Sequence, residues 1–358
     1  MFSILTNLKN HLNFVPKLLC FLNIFYPKKN KDIRPYFGIY FRNSGGPNIR
    51  TKRLINYFGN FFVNPNIIYA QSFWSEIELK DAIKYSIKYK VPIIFNQNGL
   101  YYKGWFKGNY KAKNNIISSI QKKSKFIFFQ SNFCKKSSIF FTKYKPKNSK
   151  ILYNSIPKLI SKNKKMDTPK VFNILISGYF RKENLYIVKP AINVIYKLAK
   201  SKKSNHRLII YGLKISELNS NLKKKVLSLI NRNKIEIKGN YNIKNLSNIL
   251  KDIHLALHLK YKDPCPNAVL ERMHFGIPHI ISLSGGTPEL TGKSSINIKV
   301  KDTWQTLIKV DERKLYKAII MGSKKYNLLK NNTYKQIQKF NWNNYIIDHK
   351  KIFLRYIN

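Results

Sequence analysis

YKDPCPNAVLERMHFGIPHIISLSGGTPELTG (Tyr261–Gly292) is the stretch whose reading decides the fold. It divides into a loop, a short helix, a short strand and a Gly-rich turn that opens a second helix. Asn267 is a residue type suited to cap the first helix, and Gly276 can close it in a left-handed conformation. Pro278 to Ser282 is an apolar run of strand length. Ser284-Gly285-Gly286-Thr287-Pro288-Glu289 predicts a turn into a helix, with Thr287 at the cap and Pro288 at the first helical position. Asp263 falls in the loop and Glu271 eight residues on, in the helix, so the two carboxylates can face one cleft. The Gly285-Gly286 amides, at a helix start, suit an anion such as a phosphate.

The stretch resembles the signature of family 4 glycosyltransferases, enzymes of the GT-B fold. That signature runs from an acidic residue through seven positions to a Glu, then a small-residue turn, a strand and a Gly-Gly-x-x-Glu-Leu loop. Asp263 stands where Glu is usual, and Glu271 takes the second acidic position. Gly276-Ile277-Pro278, Gly285-Gly286 and Glu289-Leu290 follow in register without a gap. The competing reading is an ordinary strand–loop–helix of another α/β protein, which would not need all these positions to agree.

At 358 residues the chain has room for two domains with their own cores, and its 44% hydrophobic content excludes a disordered chain. The net charge is +51, from 67 basic and 16 acidic residues. Nucleic-acid recognition favours Arg, yet the chain holds 57 Lys and 10 Arg, and the Lys are dispersed. The charge therefore reads as a solvated basic surface attractive to anionic lipid or substrates, with no nucleic acid expected. Three cysteines, Cys20, Cys134 and Cys265, lie far apart and form no metal-ligand spacing, which fits a reduced, cytoplasmic setting. The apolar run from Phe14 to Tyr26 carries Lys17 and is too short to span a membrane. It reads equally as an interfacial anchor or a packing extension.

From Tyr36 strands and helices alternate. Tyr36 to Arg42 predicts a strand that runs into Asn43-Ser44-Gly45-Gly46-Pro47 and a helix from Thr51 to Phe58. Gly45 and Gly46 could hold an anion or simply turn the chain. Pro92 to Phe95 predicts a strand ending at Asn96-Gln97-Asn98-Gly99. Tyr101, Tyr102, Trp105 and Phe106 form an aromatic cluster, which reads as a sugar- or lipid-facing loop or as a flap over the core. Residues 158–169 are polar and Lys-rich and read as a linker. Phe172 to Ser177 predicts the next strand, followed by Arg181 and Lys182, with Lys189 beyond. His254 and His258 lie four apart in the strand expected over Ile253 to Leu259 and read as core or face residues rather than a metal pair. Residues 311–358 look helical and aromatic.

The expected architecture is α/β: two Rossmann-like, doubly wound domains facing a central cleft, the GT-B arrangement. The expected division is an N-terminal extension over 1–35, an acceptor domain over 36–160, a donor domain over 170–320, and C-terminal helices over 321–358 that cross back to the first domain. The resemblance implies a retaining glycosyltransferase that moves a sugar from a nucleotide-sugar donor to a saccharide or lipid-linked acceptor, with no metal ion and no cofactor. It implies that Asp263 contacts the donor sugar and Glu271 the ribose hydroxyls. Ser284, Gly285, Gly286 and Thr287 would lie near the phosphates, Arg181 and Lys182 would neutralise the diphosphate, and Gly45 and Gly46 would lie near the donor. Asn98 stands where related enzymes often carry His; it can bond a hydroxyl but cannot titrate. The expected location is cytoplasmic, with peripheral binding to an anionic membrane surface. Two other classes compete: another GT-B enzyme, such as a sugar-nucleotide epimerase or phosphorylase, and a non-catalytic basic protein that binds nucleic acid or membrane.

Overall fold

The computed structural model describes residues 33–38, 45–157, 170–201, 204–240 and 245–357. They form two units, one of Met1–Asn154 with Trp342–Asn358 and one of Ser155–Asn341. The apolar run at 14–26, Cys20 and the linker at 158–169 lie outside the described residues.

Unit one is a five-stranded parallel sheet in the order β1-β2-β3-β4-β5. Its strands are β1 (Pro35–Tyr36), β2 (Ile67–Gln71), β3 (Ile93–Gln97), β4 (Phe126–Phe129) and β5 (Ser149–Ile151). The crossovers are α1 (Gly46–Phe58), α2 (Glu76–Tyr89), α3 (Tyr110–Lys123) and α4 (Asn132–Thr142). Successive strand residues point to opposite faces, so one strand feeds two cores. Ile68 and Ala70 pack with Leu79 and Ala82 of α2, Ile117 and Ile120 of α3 and Cys134 of α4. Ile67 and Tyr69 pack on the other face with Leu54 of α1 and with Tyr345, Ile346 and Phe353. Those last three belong to a helix from the far end of the chain (Trp342–Ile357). A sheet buried on both faces explains why β2, β3 and β4 are apolar runs rather than alternating ones. A Ser75–Glu78 capping box starts α2, with the Glu78 N–H donating to Ser75 Oγ at 3.2 Å and the Ser75 N–H to Glu78 Oε2 at 2.7 Å.

Unit two is a six-stranded parallel sheet made of β6 (Phe172–Phe180), β7 (His206–Leu213), β8 (Ile235–Lys238), β9 (Leu255–His258), β10 (His279–Ser282) and β11 (Ser295–Ile298). Its helices are α5 (Lys189–Leu198), α6 (Ser220–Asn231), α7 (Leu246–Leu250), α8 (Asn267–His274), α9 (Thr287–Thr291), α10 (Glu312–Lys324) and α11 (Tyr326–Ile337), and the helix at Trp342–Ile357 is α12. The strand order is β11-β10-β9-β6-β7-β8. The winding direction reverses between β6 and β9, and ligands in such sheets bind beyond the carboxyl ends of the strands at that point. On one face the core joins Leu255 and Leu257 of β9 to α5, α6 and α10; on the other Ala256 meets Leu246 and Leu250 of α7. Residues 321–337, grouped by the sequence with the C-terminal helices, lie in unit two, while α12 lies in unit one.

Several local expectations need correction. Asn267 does not cap α8: Pro266 holds the cap position, no side chain caps it, and Asn267 is already helical. Thr287 is likewise the first residue of α9, and Gly286 holds the cap, so Pro288 moves to the second position, where its missing N–H still costs nothing. The helix expected from Thr51 begins at Gly46, because Pro47 is tolerated in a first turn. The strand expected over Tyr36–Arg42 is seen at Pro35–Tyr36, and residues 39–44 lie outside the described ones. Gly276 is left-handed, with φ of 67°.

Candidate active site

The site is built where β9 leaves the sheet beside β6. After His258 the chain passes through Lys260 and Lys262 to Asp263. Asp263 Oδ2 lies 3.4 Å from His258 Nε2 and 3.4 Å from Lys260 Nζ. Burial pushes the Asp263 carboxyl up, but Lys260 and His258 outweigh it and hold it well below the usual carboxylate range. His258 is lowered as well, for a different reason: burial disfavours its charged form and exceeds the opposing pull of Asp263. At neutral pH the pair is thus a carboxylate beside a neutral imidazole.

The Gly-rich turn grips the backbone of this loop. Gly286 N–H donates to the Asp263 carbonyl at 2.9 Å. Gly285 has φ of 76°, and a Cβ there would lie 2.6 Å from both the amide nitrogen and the carbonyl oxygen of Asp263. Only glycine serves at this position, for its conformation and for the close approach. Ser284 Oγ accepts from Lys262 N–H at 2.8 Å and donates to Asp302 Oδ1 at 3.0 Å. Asp302 Oδ2 pairs in turn with Lys262 Nζ at 3.0 Å. The Lys262 ammonium, buried, also sits 3.8 Å from the Trp304 ring centroid. The Ser284 hydroxyl and the Gly286 amide are therefore occupied within the protein; they hold Asp263 in place. The Thr287 hydroxyl is buried and takes no hydrogen bond among the described residues.

Glu271 is buried in α8 and lines a recess with Leu175, Tyr211, Leu246, Leu250 and Ala268. That recess lies under β6, β7 and α7, so Glu271 and Asp263 reach the switch region from different elements. The next residue, Arg272, is buried and donates through Nη2 to Ser177 Oγ, pinning α8 to the end of β6. Arg181 and Lys182 are exposed in the loop after β6. Arg181 donates to the Tyr179 hydroxyl at 3.0 Å and stacks on that ring. Lys189 opens α5, also exposed.

In unit one Gly45 and Gly46 form the start of α1, with Gly45 at φ of 91°. Asn98 follows β3 and is buried; its Oδ1 accepts from Gln130 Nε2 at 2.6 Å and from Arg50 Nη1 at 3.1 Å. Of the two histidines read as core or face residues, His254 accepts from Asn173 N–H at 3.0 Å and stacks on Phe172. His258 touches Asp263, a contact the sequence reading missed. Also missed were the Lys262–Asp302–Trp304 cluster and Arg272. The signal for Arg272 was a basic residue inside an apolar helical run; Lys262 had none, one lysine among 57. Among the described residues no group of His, Cys, Asp and Glu could hold a metal ion, and no helix is long and apolar enough to cross a membrane.

Solved structures share this architecture. Sucrose-phosphate synthase from Thermosynechococcus elongatus aligns with a TM-score of 0.60 at 10% identity, over 86% of this chain and 77% of its own. HepE of Anabaena, in complex with UDP and glucose, aligns with a TM-score of 0.59 at 13% identity, over 81% of this chain and 77% of its own. A glycosyltransferase from Rickettsia africae aligns with a TM-score of 0.59 at 14% identity, over 90% of this chain and 85% of its own. At such identities the likeness speaks for the fold, which is GT-B. No curated protein matches the sequence. Residues 156–336, which contain the loop, both carboxylates and the Gly-rich turn, match the family described as glycosyl transferases group 1. Half of the chain carries that match, and the protein belongs to the glycosyl transferases group 1 family.

Proposed function

We propose that the protein is a retaining glycosyltransferase of family 4, moving a hexose from a nucleotide sugar to a saccharide or lipid-linked acceptor in polysaccharide synthesis. The observation that carries this reading is the Asp263 loop, clamped by the Gly285–Gly286 turn at the switch point of unit two, with its carboxylate kept ionised by Lys260 and His258. A carboxylate held in that state accepts hydrogen bonds from sugar hydroxyls without itself needing a proton. Glu271 would bond the ribose hydroxyls from its own recess, and the Thr287 hydroxyl would serve a phosphate oxygen. Arg181 and Lys182, exposed beside the switch point, would neutralise the leaving diphosphate, and no metal ion is required in this scheme. HepE holds UDP and glucose, which makes UDP-glucose the first donor to try.

The experiment is a thermal-shift screen with nucleotides and nucleotide sugars, followed by product analysis. A nucleotide at a hundred times its dissociation constant stabilises by about 2.7 kcal/mol. Product whose anomeric configuration matches the donor supports retention; inverted product refutes it. A protein that answers to no nucleotide and transfers no sugar refutes the whole reading.

We also propose that the protein lies in the cytoplasm and binds anionic membrane surfaces peripherally. In support, Trp105 is 47% exposed in a loop flanked by exposed Lys103 and Lys107, on a chain of net charge +51.

A further inference from the structure

The polar residues at the carboxyl ends of the unit-one strands close on one buried guanidinium. Arg50, in the second turn of α1, is 1% exposed. Its Nη1 donates to Asn98 Oδ1 at 3.1 Å and to Asn154 Oδ1 at 3.4 Å, and its Nη2 donates to Gln71 Oε1. Among the described residues its Nε finds no acceptor, and neither does Asn98 Nδ2. Every oxygen that the described residues place on Arg50 is thus a neutral carboxamide.

Acidic residues are so few that those of unit one can be followed individually. Among its described residues they are Glu76, Glu78, Asp81 and Asp348. Glu76 pairs with Lys80 and Lys113, Asp348 pairs with Lys150, and Glu78 caps α2. Asp81 lies on α2 in a groove beside Trp74 and Tyr85. No ion pair to Arg50 occurs among the described residues. A buried cation without a counter-charge is costly, and carboxamide dipoles repay only part of that cost. A neutral hydroxyl could satisfy the two open donors but would leave the charge.

We infer that unit one holds a binding position for a compact anionic group, a phosphoryl or carboxylate, carried by the acceptor, with Arg50 as its counter-charge and Asn98 Nδ2 as a second donor. The inference rests on the glycosyltransferase reading with unit one as the acceptor side. The stretch that matches the transferase family lies at 156–336, wholly in unit two, whereas Arg50 is in unit one. Because the guanidinium is closed from solvent, the anion must enter the polar cluster, which favours a terminal, small oxyanion over a bulky one.

The test uses the full chain and inorganic phosphate, added against chloride at constant ionic strength. Phosphate should raise the melting midpoint of unit one by several degrees. Asn98→Asp places a carboxylate against Arg50, keeps the bond from Gln130 and gives up only the unanswered donor. It should raise the midpoint without phosphate and remove the phosphate increment. Arg50→Gln should remove the increment as well. No increment in the parent, or an undiminished one in Asn98→Asp, overturns the inference. The source is settled by repeating the titration with saturating UDP. An increment that survives assigns the position to the acceptor; one that UDP abolishes assigns it to the donor diphosphate and overturns the acceptor assignment. Phosphate acting on unit one while no nucleotide acts on unit two counts against the donor reading alone, and the reverse counts against the anion position alone.

Discussion

Replacing Gly285 by alanine tests whether the Gly-rich turn holds Asp263. The backbone at Gly285 is left-handed, with φ of 76°. An L side chain costs roughly 1–2 kcal/mol there. The new Cβ would also sit 2.6 Å from two backbone atoms of Asp263, and these cannot swing aside as a side-chain tip could. Relieving such an overlap typically costs about 1–3 kcal/mol. Together the two effects predict a loss of about 2–5 kcal/mol in the stability of unit two. Urea denaturation followed by Trp fluorescence and by circular dichroism measures it, with Trp304 reporting on unit two beside Lys262. Gly239→Ala is the control: a Cβ there meets nothing within 4 Å, so the change should stay within about 0.5 kcal/mol. The turn can relax only by moving the Asp263 loop, so turnover of Gly285→Ala should fall even where the variant is fully folded. A loss below about 1 kcal/mol, with turnover intact, would show that the turn and the loop are not docked as described.

Glu271→Gln should weaken nucleotide binding roughly tenfold or more, from the ~1.5–3 kcal/mol of a hydrogen bond to a charged group, with little change in the unliganded melting point. Asp263→Asn should lower turnover more than nucleotide affinity; calorimetric titration and initial rates on both variants check the pair, and equal nucleotide binding by Glu271→Gln sinks the ribose assignment. Unit one should lose stability as the pH falls from about 6.5 to about 4, because burial lowers His349 to about 4. His349 Nδ1 donates to the Tyr345 carbonyl at 2.8 Å, so its Nε2 accepts from the Tyr69 hydroxyl at 2.9 Å and has no room for a proton. The unfolded chain takes up that proton first, which amounts to ~3 kcal/mol over the window, and a pH series of melting points should flatten there in His349→Gln. Peripheral membrane binding predicts sedimentation with anionic vesicles and release by high salt; failure to bind them, or resistance to salt, refutes it.

How much was legible in advance varied with the range of the interaction concerned. Gly276 announced its left-handed turn, because the residue type and its place after a helical run are both local. The caps were misplaced by one residue at Asn267 and Thr287, because cap identity depends on where the last non-helical backbone angle falls. The pair of parallel sheets was readable from apolar runs of strand length separated by helical stretches, since a strand buried on both faces carries no polar alternation. The thirty-two residues from Tyr261 to Gly292 also carried the family resemblance and the two carboxylates.

Which atoms of that stretch are occupied by the protein itself was a tertiary matter. Ser284 and Gly286 read as phosphate contacts, yet the first bonds Lys262 and Asp302 and the second holds Asp263. Their partners stand as far as twenty-three residues away, and no periodicity links a turn to a loop at the end of the neighbouring strand. Arg50 makes the same point across a larger gap. Its acceptors Gln71, Asn98 and Asn154 stand up to 104 residues away along the chain, and nothing local marks any of them as a partner of Arg50. Periodicity and turn chemistry act between neighbours in the chain, so the sequence by itself determined the strands, the helices and the family motif. Charge compensation and hydrogen-bond saturation act between neighbours in space, so only the folded arrangement decided that Asp263 stays ionised and that, among the described residues, Arg50 meets no counter-charge.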